Sequence, residues 1–162
     1  MKKYKSIFII SIIVITAFLL DVTTKNIANN NLKLLYKNEI IDNFFYFTLC
    51  YNTGGAWSIF SGNVPILIIV SLICLGIVVY TIIKSKSNFY KYSSALFIGG
   101  LLGNLCDRIL YGKVIDFLDF VILGYDFPVF NVADCFICVG VGLMMIAMIR
   151  EEKDNERIRV KN

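Results

Sequence analysis

Four long apolar segments dominate the pattern of hydrophobic and polar positions along the chain. A transmembrane helix needs about 20 mostly apolar residues. Four segments meet or approach this length, at about 6–24, 64–83, 92–109 and 132–150. The first, third and fourth reach it only if each extends through a polar end. The pattern therefore predicts four transmembrane helices whose polar ends lie at the membrane surface.

Two outer segments, at about 25–63 and 110–131, join these helices. The first contains aromatic and β-branched residues around the sequence NTGG, a composition that predicts short, half-buried strands. The second carries Gly124 and Pro128, which mark turns. Its apolar stretches are expected to lie along the membrane surface.

The positions of the basic residues predict the orientation of the helices. Most of the 16 lysines and arginines lie before the first helix, between the second and third, or after the fourth. Basic loops face the cytoplasm, so both chain ends are expected there. The basic start could also belong to a cleaved signal peptide, but no A-x-A-like site follows it, which favours a retained helix. The net charge of +4 then reflects topology and anionic lipid, and no nucleic-acid partner is expected.

Composition strengthens the membrane interpretation and narrows the chemistry. The chain is 57% hydrophobic, above the roughly 45–50% that is typical of soluble domains. It contains no histidine, which excludes Ser-His-Asp triads, Cys-His pairs and zinc sites with histidine ligands. Proton transfer would have to use Asp, Glu, Lys, Tyr or Cys. We expect neither a metal nor a cofactor.

Polar residues gather at the predicted outer ends of the helices and in the second outer segment. Ionisable side chains near a bilayer are costly and usually face a cavity or a partner. Asp21 and Lys25 could form a helical ion pair, and Asp134 could complement the dipole at a helix start. The full set is Asp21, Lys25, Asn104, Asp107, Arg108, Asp116, Asp119, Asn131 and Asp134.

This accumulation of acids on one face indicates a paired-carboxylate site. When two carboxylates lie together, one tends to hold a proton while the other stays charged. Such a pair can activate water for peptide hydrolysis without histidine, metal or a nucleophilic serine. Spacing alone leaves Asp107, Asp116, Asp119 and Asp134 all eligible. The acids could instead serve a small transporter or proton channel, although they cluster at one face rather than along a path.

Five motifs, in order, resemble the lipoprotein signal peptidases, the type II signal peptidases of bacteria. They are DVTTK (21–25), NTGGAWS (52–58), GNLCDR (103–108), VIDF (114–117) and FNVAD (130–134). The resemblance implies a membrane α-helical fold, with four transmembrane helices, a small extracytoplasmic β-cradle, and a loop or periplasmic half-helix near the site. It also implies one peptidase domain over 1–162, in the bacterial cytoplasmic membrane, with both ends cytoplasmic and the site at the outer face.

The same resemblance implies an activity and its partners. The family members are aspartic endopeptidases that cut diacylglyceryl-modified prolipoproteins before the lipidated cysteine, and part of the first outer segment can act as a lid. Expected partners are prolipoproteins, membrane lipid and inhibitors of the globomycin type, with a monomeric enzyme. Val22 and Gly55 stand where the family usually has glutamine and alanine. These departures bear on substrate fit and antibiotic sensitivity, not on the dyad.

The motifs also assign roles to individual residues. The resemblance implies that Asp116 and Asp134 are the catalytic pair. It implies structural support from Asp21 and Lys25. The positions expected to bind substrate or support the site are Asn52, Gly54, Asn104, Asp107, Arg108 and Asn131.

Overall fold

The computed structural model describes residues 2–55 and 60–161, with side chains described for 4–55 and 60–152. In this part of the chain, helices alternate with short strands. The elements in chain order are α1 (Lys2–Asn31), β1 (Lys37–Ile41), β2 (Phe45–Asn52), α2 (Val64–Lys84), α3 (Asn88–Tyr111), β3 (Val114–Ile122), β4 (Tyr125–Asp126) and α4 (Val132–Lys161). Both α1 and α4 extend beyond the predicted apolar segments, because the helix continues through their polar ends.

Three of the described helices are long and apolar enough to cross a membrane, which makes this a helical membrane protein. These stretches are Tyr4–Asn31 in α1, all of α2, and Val132–Glu152 in α4. Helix α3 is not among them, so the fourth predicted span stays a prediction. This helix differs from the other three in its surroundings. It packs against α1, α2 and α4, and its side chains therefore meet protein on several sides.

Glycines allow α3 to pack this closely. A Cβ atom added at Gly99 would lie 2.5 Å from the Cβ of Ala17 in α1. One added at Gly100 would collide with the backbone oxygen of Ala133 in α4. Small residues at such crossings let helix backbones approach each other. Helix α3 is thereby held between the first and last helices.

The strands form one antiparallel sheet in the order β1-β2-β3-β4. The short strands predicted in the first outer segment are confirmed as β1 and β2. The loop or half-helix expected near the site stays a prediction, and in the second outer segment Val114–Ile122 forms a strand. Its sequence, VIDFLDFVI, is rich in β-branched and aromatic residues, which suit a half-buried strand. The neighbouring β2 supplies the hydrogen-bonding partner.

Candidate active site

The start of α4 fixes the carboxylate of Asp134. The side-chain oxygen of Asn131 accepts a hydrogen bond from the backbone N–H of Asp134 (3.0 Å). In return, Oδ2 of Asp134 accepts one from the backbone N–H of Asn131 (3.2 Å). This reciprocal pairing is a capping box. It holds the carboxylate at a helix N-terminus, where negative charge is favoured.

Asp116 is brought to the same place by β3. Its side chain is only 2% exposed. Oδ1 accepts a hydrogen bond from Nδ2 of Asn131 (2.6 Å), and Oδ2 accepts one from Nδ2 of Asn52 (3.1 Å). Asn131 therefore donates to both acids, through its side chain to Asp116 and through its backbone to Asp134.

The environment of Asp116 favours its protonated form. Burial raises the pKa of Asp116 to about 7, and the nearby charge of Asp134 acts in the same direction. The hydrogen bonds from Asn52 and Asn131 act against this increase because they favour the ionised carboxylate. A carboxylic acid with this pKa can both give and take a proton near neutral pH.

Asn104 links the two acids to the helices behind them. Its Nδ2 donates to Oδ1 of Asp134 (2.8 Å). Its Oδ1 accepts from Nζ of Lys25 (2.8 Å) and from Nδ2 of Asn131 (3.1 Å). A single amide on α3 thus contacts α1, the capping residue of α4 and one candidate catalytic carboxylate.

A buried ion cluster lies beneath this amide. Nζ of Lys25 is 2.7 Å from Oδ2 of Asp21 and 3.1 Å from Oδ2 of Asp107. Asp21 also accepts from the backbone N–H of Ala133 (2.8 Å), and Asp107 from that of Ile115 (3.2 Å). The three charged side chains therefore tie together α1, α3, the first turn of α4 and the beginning of β3.

The NTGG segment contacts both Asp116 and Arg108. Oδ1 of Asn52 accepts from the backbone N–H of Gly54 (2.8 Å), and the carbonyl of Gly54 accepts from Nη2 of Arg108 (3.0 Å). Nε of Arg108 is buried and has no hydrogen-bond partner among the described residues. Residues 56–58 of the NTGGAWS motif lie outside the described part of the chain.

The geometry distinguishes between the four acids that spacing left open. Asp116 and Asp134 share the donor Asn131. Asp107 binds Lys25 instead. Asp119 accepts from Oγ1 of Thr48 (2.6 Å). Sequence reasoning did not single out Thr48, because only the pairing of β2 with β3 brings it near an acid.

Comparisons with known proteins identify the family of the chain. The family model described as signal peptidase (SPase) II matches residues 13–150. A lipoprotein signal peptidase from Staphylococcus carnosus (strain TM300) is 37% identical over 158 residues, which cover 96% of this chain and 99% of that protein. Another, from Staphylococcus aureus (strain JH9), is 38% identical over 164 residues and covers 99% of each.

Solved structures give the same result. One bacterial membrane enzyme superimposes with a TM-score of 0.79 at 38% identity, covering 93% of this chain and 90% of that one. A second superimposes with a TM-score of 0.74 at 39% identity, covering 89% and 92%. The match extends over sequence and fold alike, so this chain belongs to the signal peptidase II family of peptidases.

Proposed function

We propose that this chain is a membrane aspartic endopeptidase that removes the signal peptide from diacylglyceryl-modified prolipoproteins. In this proposal Asp116 and Asp134 are the catalytic residues, and cleavage occurs before the lipidated cysteine. The observation that carries the proposal is the double role of Asn131, which donates to both acids and so holds them at one point. The names of the similar proteins support prolipoproteins as substrates.

The two acids would divide the proton chemistry between them. Asp116, whose pKa is raised to about 7, is the protonated member and donates a hydrogen bond to the scissile carbonyl. Asp134, at the helix N-terminus, is the ionised member and takes a proton from water. The water oxygen bonds to the carbonyl carbon while the carbonyl oxygen takes the proton of Asp116, which gives a gem-diol. The C–N bond then breaks as the nitrogen takes the proton held by Asp134 and one diol hydroxyl returns a proton to Asp116.

The surrounding residues would hold the dyad and the peptide. Asn104 and Asn131 orient the two carboxylates. Arg108 donates from Nη2 to the carbonyl of Gly54 and so holds the segment that contains Asn52 and Gly54 beside the dyad. The ion cluster of Asp21, Lys25 and Asp107 keeps the helix ends in register. No step of this mechanism is assigned to a metal or cofactor.

The contacts support a topology with four spans in a single domain. The end of α3 meets the start of α4 through Asn104 and Asp134, and Asp21 of α1 contacts Ala133. With both chain ends in the cytoplasm, the last residues of α1 and α3 and the first of α4 all lie at the outer face. We propose α3 as the remaining span and the bacterial cytoplasmic membrane as the location. The sheet would then lie on the outer side.

Lipid on the substrate should decide whether it is cleaved. One prolipoprotein would be prepared with and without diacylglycerol on its cysteine and incubated with the full chain in proteoliposomes. We expect the lipidated form to be cut at least about 100-fold faster, because binding energy from the lipid positions the peptide bond. A globomycin-type cyclic peptide should block this cleavage. Equal cleavage of both forms would contradict the proposed specificity.

The same preparation tests the alternative function. A transporter or proton channel would give ion flux in proteoliposomes that contain no substrate. Flux without any cleavage of the lipidated prolipoprotein would favour that alternative. The grouping of the acids at one end of the helices and membership of a peptidase family both favour hydrolysis.

Cleavage should become slower as the pH rises above about 7. The pKa of Asp116 lies near this value, so its carboxyl is mostly protonated below it and mostly ionised above it. Once ionised, Asp116 cannot donate to the carbonyl, and kcat/KM should fall about tenfold per pH unit. The exposed acid Asp42, replaced by asparagine, should leave the profile unchanged. A rate that rises through pH 7 would instead assign the base to Asp116.

A further inference from the structure

Strand β2 carries a bulge next to the register position of Asp116. Phe47 pairs with Leu118 and Cys50 pairs with Asp116, so Thr48 and Leu49 together face one residue of β3, Phe117. A bulge of this kind adds one residue to one strand and redirects nearby side chains. The face to which the later β2 residue Asn52 points, and with it the hydrogen bond of Asn52 to Asp116, therefore depends on the bulge.

A buried hydrogen bond holds the bulge against β3. Oγ1 of Thr48 donates to Oδ2 of Asp119 over 2.6 Å, and the two residues are 6% and 2% exposed. Asp119 also has a charged neighbour, Lys37, whose Nζ lies 3.5 Å away on a side chain that is 45% exposed. A carboxylate this deeply buried needs a partner. The threonine hydroxyl is the nearer of the two.

The opposite edge of β3 carries the residue before Asn131. The backbone N–H groups of Phe117 and Leu118 donate to the carbonyl of Phe130 (3.0 and 2.8 Å), and Phe130 N–H donates to the carbonyl of Leu118 (3.0 Å). Phe117 thus faces the bulge on one edge of β3 and the residue before Asn131 on the other. Without the bulge, the later residues of β2 would shift by one position against β3, and Asn52 would turn to the opposite face of the sheet. Asp116 would then lose the hydrogen bond from Asn52.

We propose that Thr48 and Asp119 are positioning residues for Asp116. They lock the bulge of β2 to β3 and so keep Asn52 in place to orient the carboxyl of Asp116. This inference rests on the proposed function of the two catalytic acids. Thr48 and Asp119 act on the reaction only through the placement of Asp116.

Removing the hydroxyl tests the proposal with little change in shape. Thr48→Val should lower kcat about 10- to 100-fold, because small displacements of a catalytic group are costly, and should change KM less than kcat. Thr48→Ser, which restores the donor, should bring kcat back to within about threefold of the wild type. Rates of lipidated prolipoprotein cleavage would be taken in detergent micelles, well below each variant's melting temperature. A Thr48→Val enzyme with kcat within about twofold of the wild type would overturn the proposal.

A double-mutant comparison separates this hydrogen bond from general loss of stability. Asp119→Ala should reduce kcat about as much as Thr48→Val, and the double variant should lose little more, since both changes break one contact. Lys37→Met removes the other partner of Asp119 but not the link to the bulge, so its kcat should stay within about twofold of the wild type. Additive losses in the double variant would contradict the proposal.

The role of the dyad and the positioning role of Thr48 can be tested separately. If Asp116→Asn and Asp134→Asn both retain turnover, the proposed dyad is wrong. If those two variants are inactive while Thr48→Val keeps wild-type kcat, the dyad stands and only the positioning role is wrong.

Discussion

Replacing either Asp116 or Asp134 with asparagine should remove about 99% or more of prolipoprotein cleavage. An amide has nearly the same shape as the carboxyl group, but it can neither hold the shared proton nor take one from water. Loss of one member of a catalytic unit typically costs orders of magnitude in rate. The measurement is turnover of a diacylated prolipoprotein by the full chain in micelles or liposomes.

Asp42→Asn provides the matched control. Asp42 is an exposed acid in the turn between β1 and β2, and its side chain accepts a hydrogen bond from the neighbouring Asn43. Its replacement should leave turnover within about twofold of the wild type. Melting temperatures of the Asp116→Asn and Asp134→Asn enzymes should stay within about 4 °C of the wild type, which corresponds to roughly 1 kcal/mol. Substantial turnover by either folded variant would rule out its acid as a catalytic group.

Replacing Lys25 with methionine should strongly destabilise the protein. Lys25 is 1% exposed and lies against two buried acids, Asp21 and Asp107. Removing one partner of a buried ion pair typically costs about 3–5 kcal/mol, because the remaining charge has no compensation. We expect the melting temperature in detergent to fall by roughly 10 °C.

Two further variants show whether charge is the cause. Lys33→Met removes an exposed lysine from the chain just after α1 and should leave the melting temperature nearly unchanged. Adding Asp21→Asn and Asp107→Asn to Lys25→Met removes the unpaired negative charges and should recover part of the loss. If Lys25→Met melts with the wild type, the buried cluster contributes nothing to stability.

Residue types and spacing indicated a site with paired acids, but they did not show which two acids lie together. Residue types and motif order identified Asp116 and Asp134 only through the family resemblance. On spacing alone, Asp107 and Asp119 were equally eligible. The distinction comes from Asn131, which donates to one acid from its side chain and to the other from its backbone. That contact joins β3 to α4 and has no local signal.

In the fold, local sequence predicted the apolar helices, whereas a distant contact decided the structure of β3. Apolar length identified α1, α2 and α4, because each presents much of its surface to lipid. It could not decide between helix and strand over Val114–Ile122. There the deciding factor is the hydrogen-bonding edge of β2, which lies more than sixty residues earlier in the chain.

The enclosure of α3 has a consequence for the order of assembly. Asn104 and Asp107 on this helix both depend on Lys25, which α1 supplies. On its own, α3 would leave these polar groups without a cation and would leave the spaces beside Gly99 and Gly100 empty. As the chain is synthesised, α1 comes first, and we expect α3 to pack stably only once α1 is in place. The polar contacts of α3 should therefore order assembly, with the first helix as the template for the third.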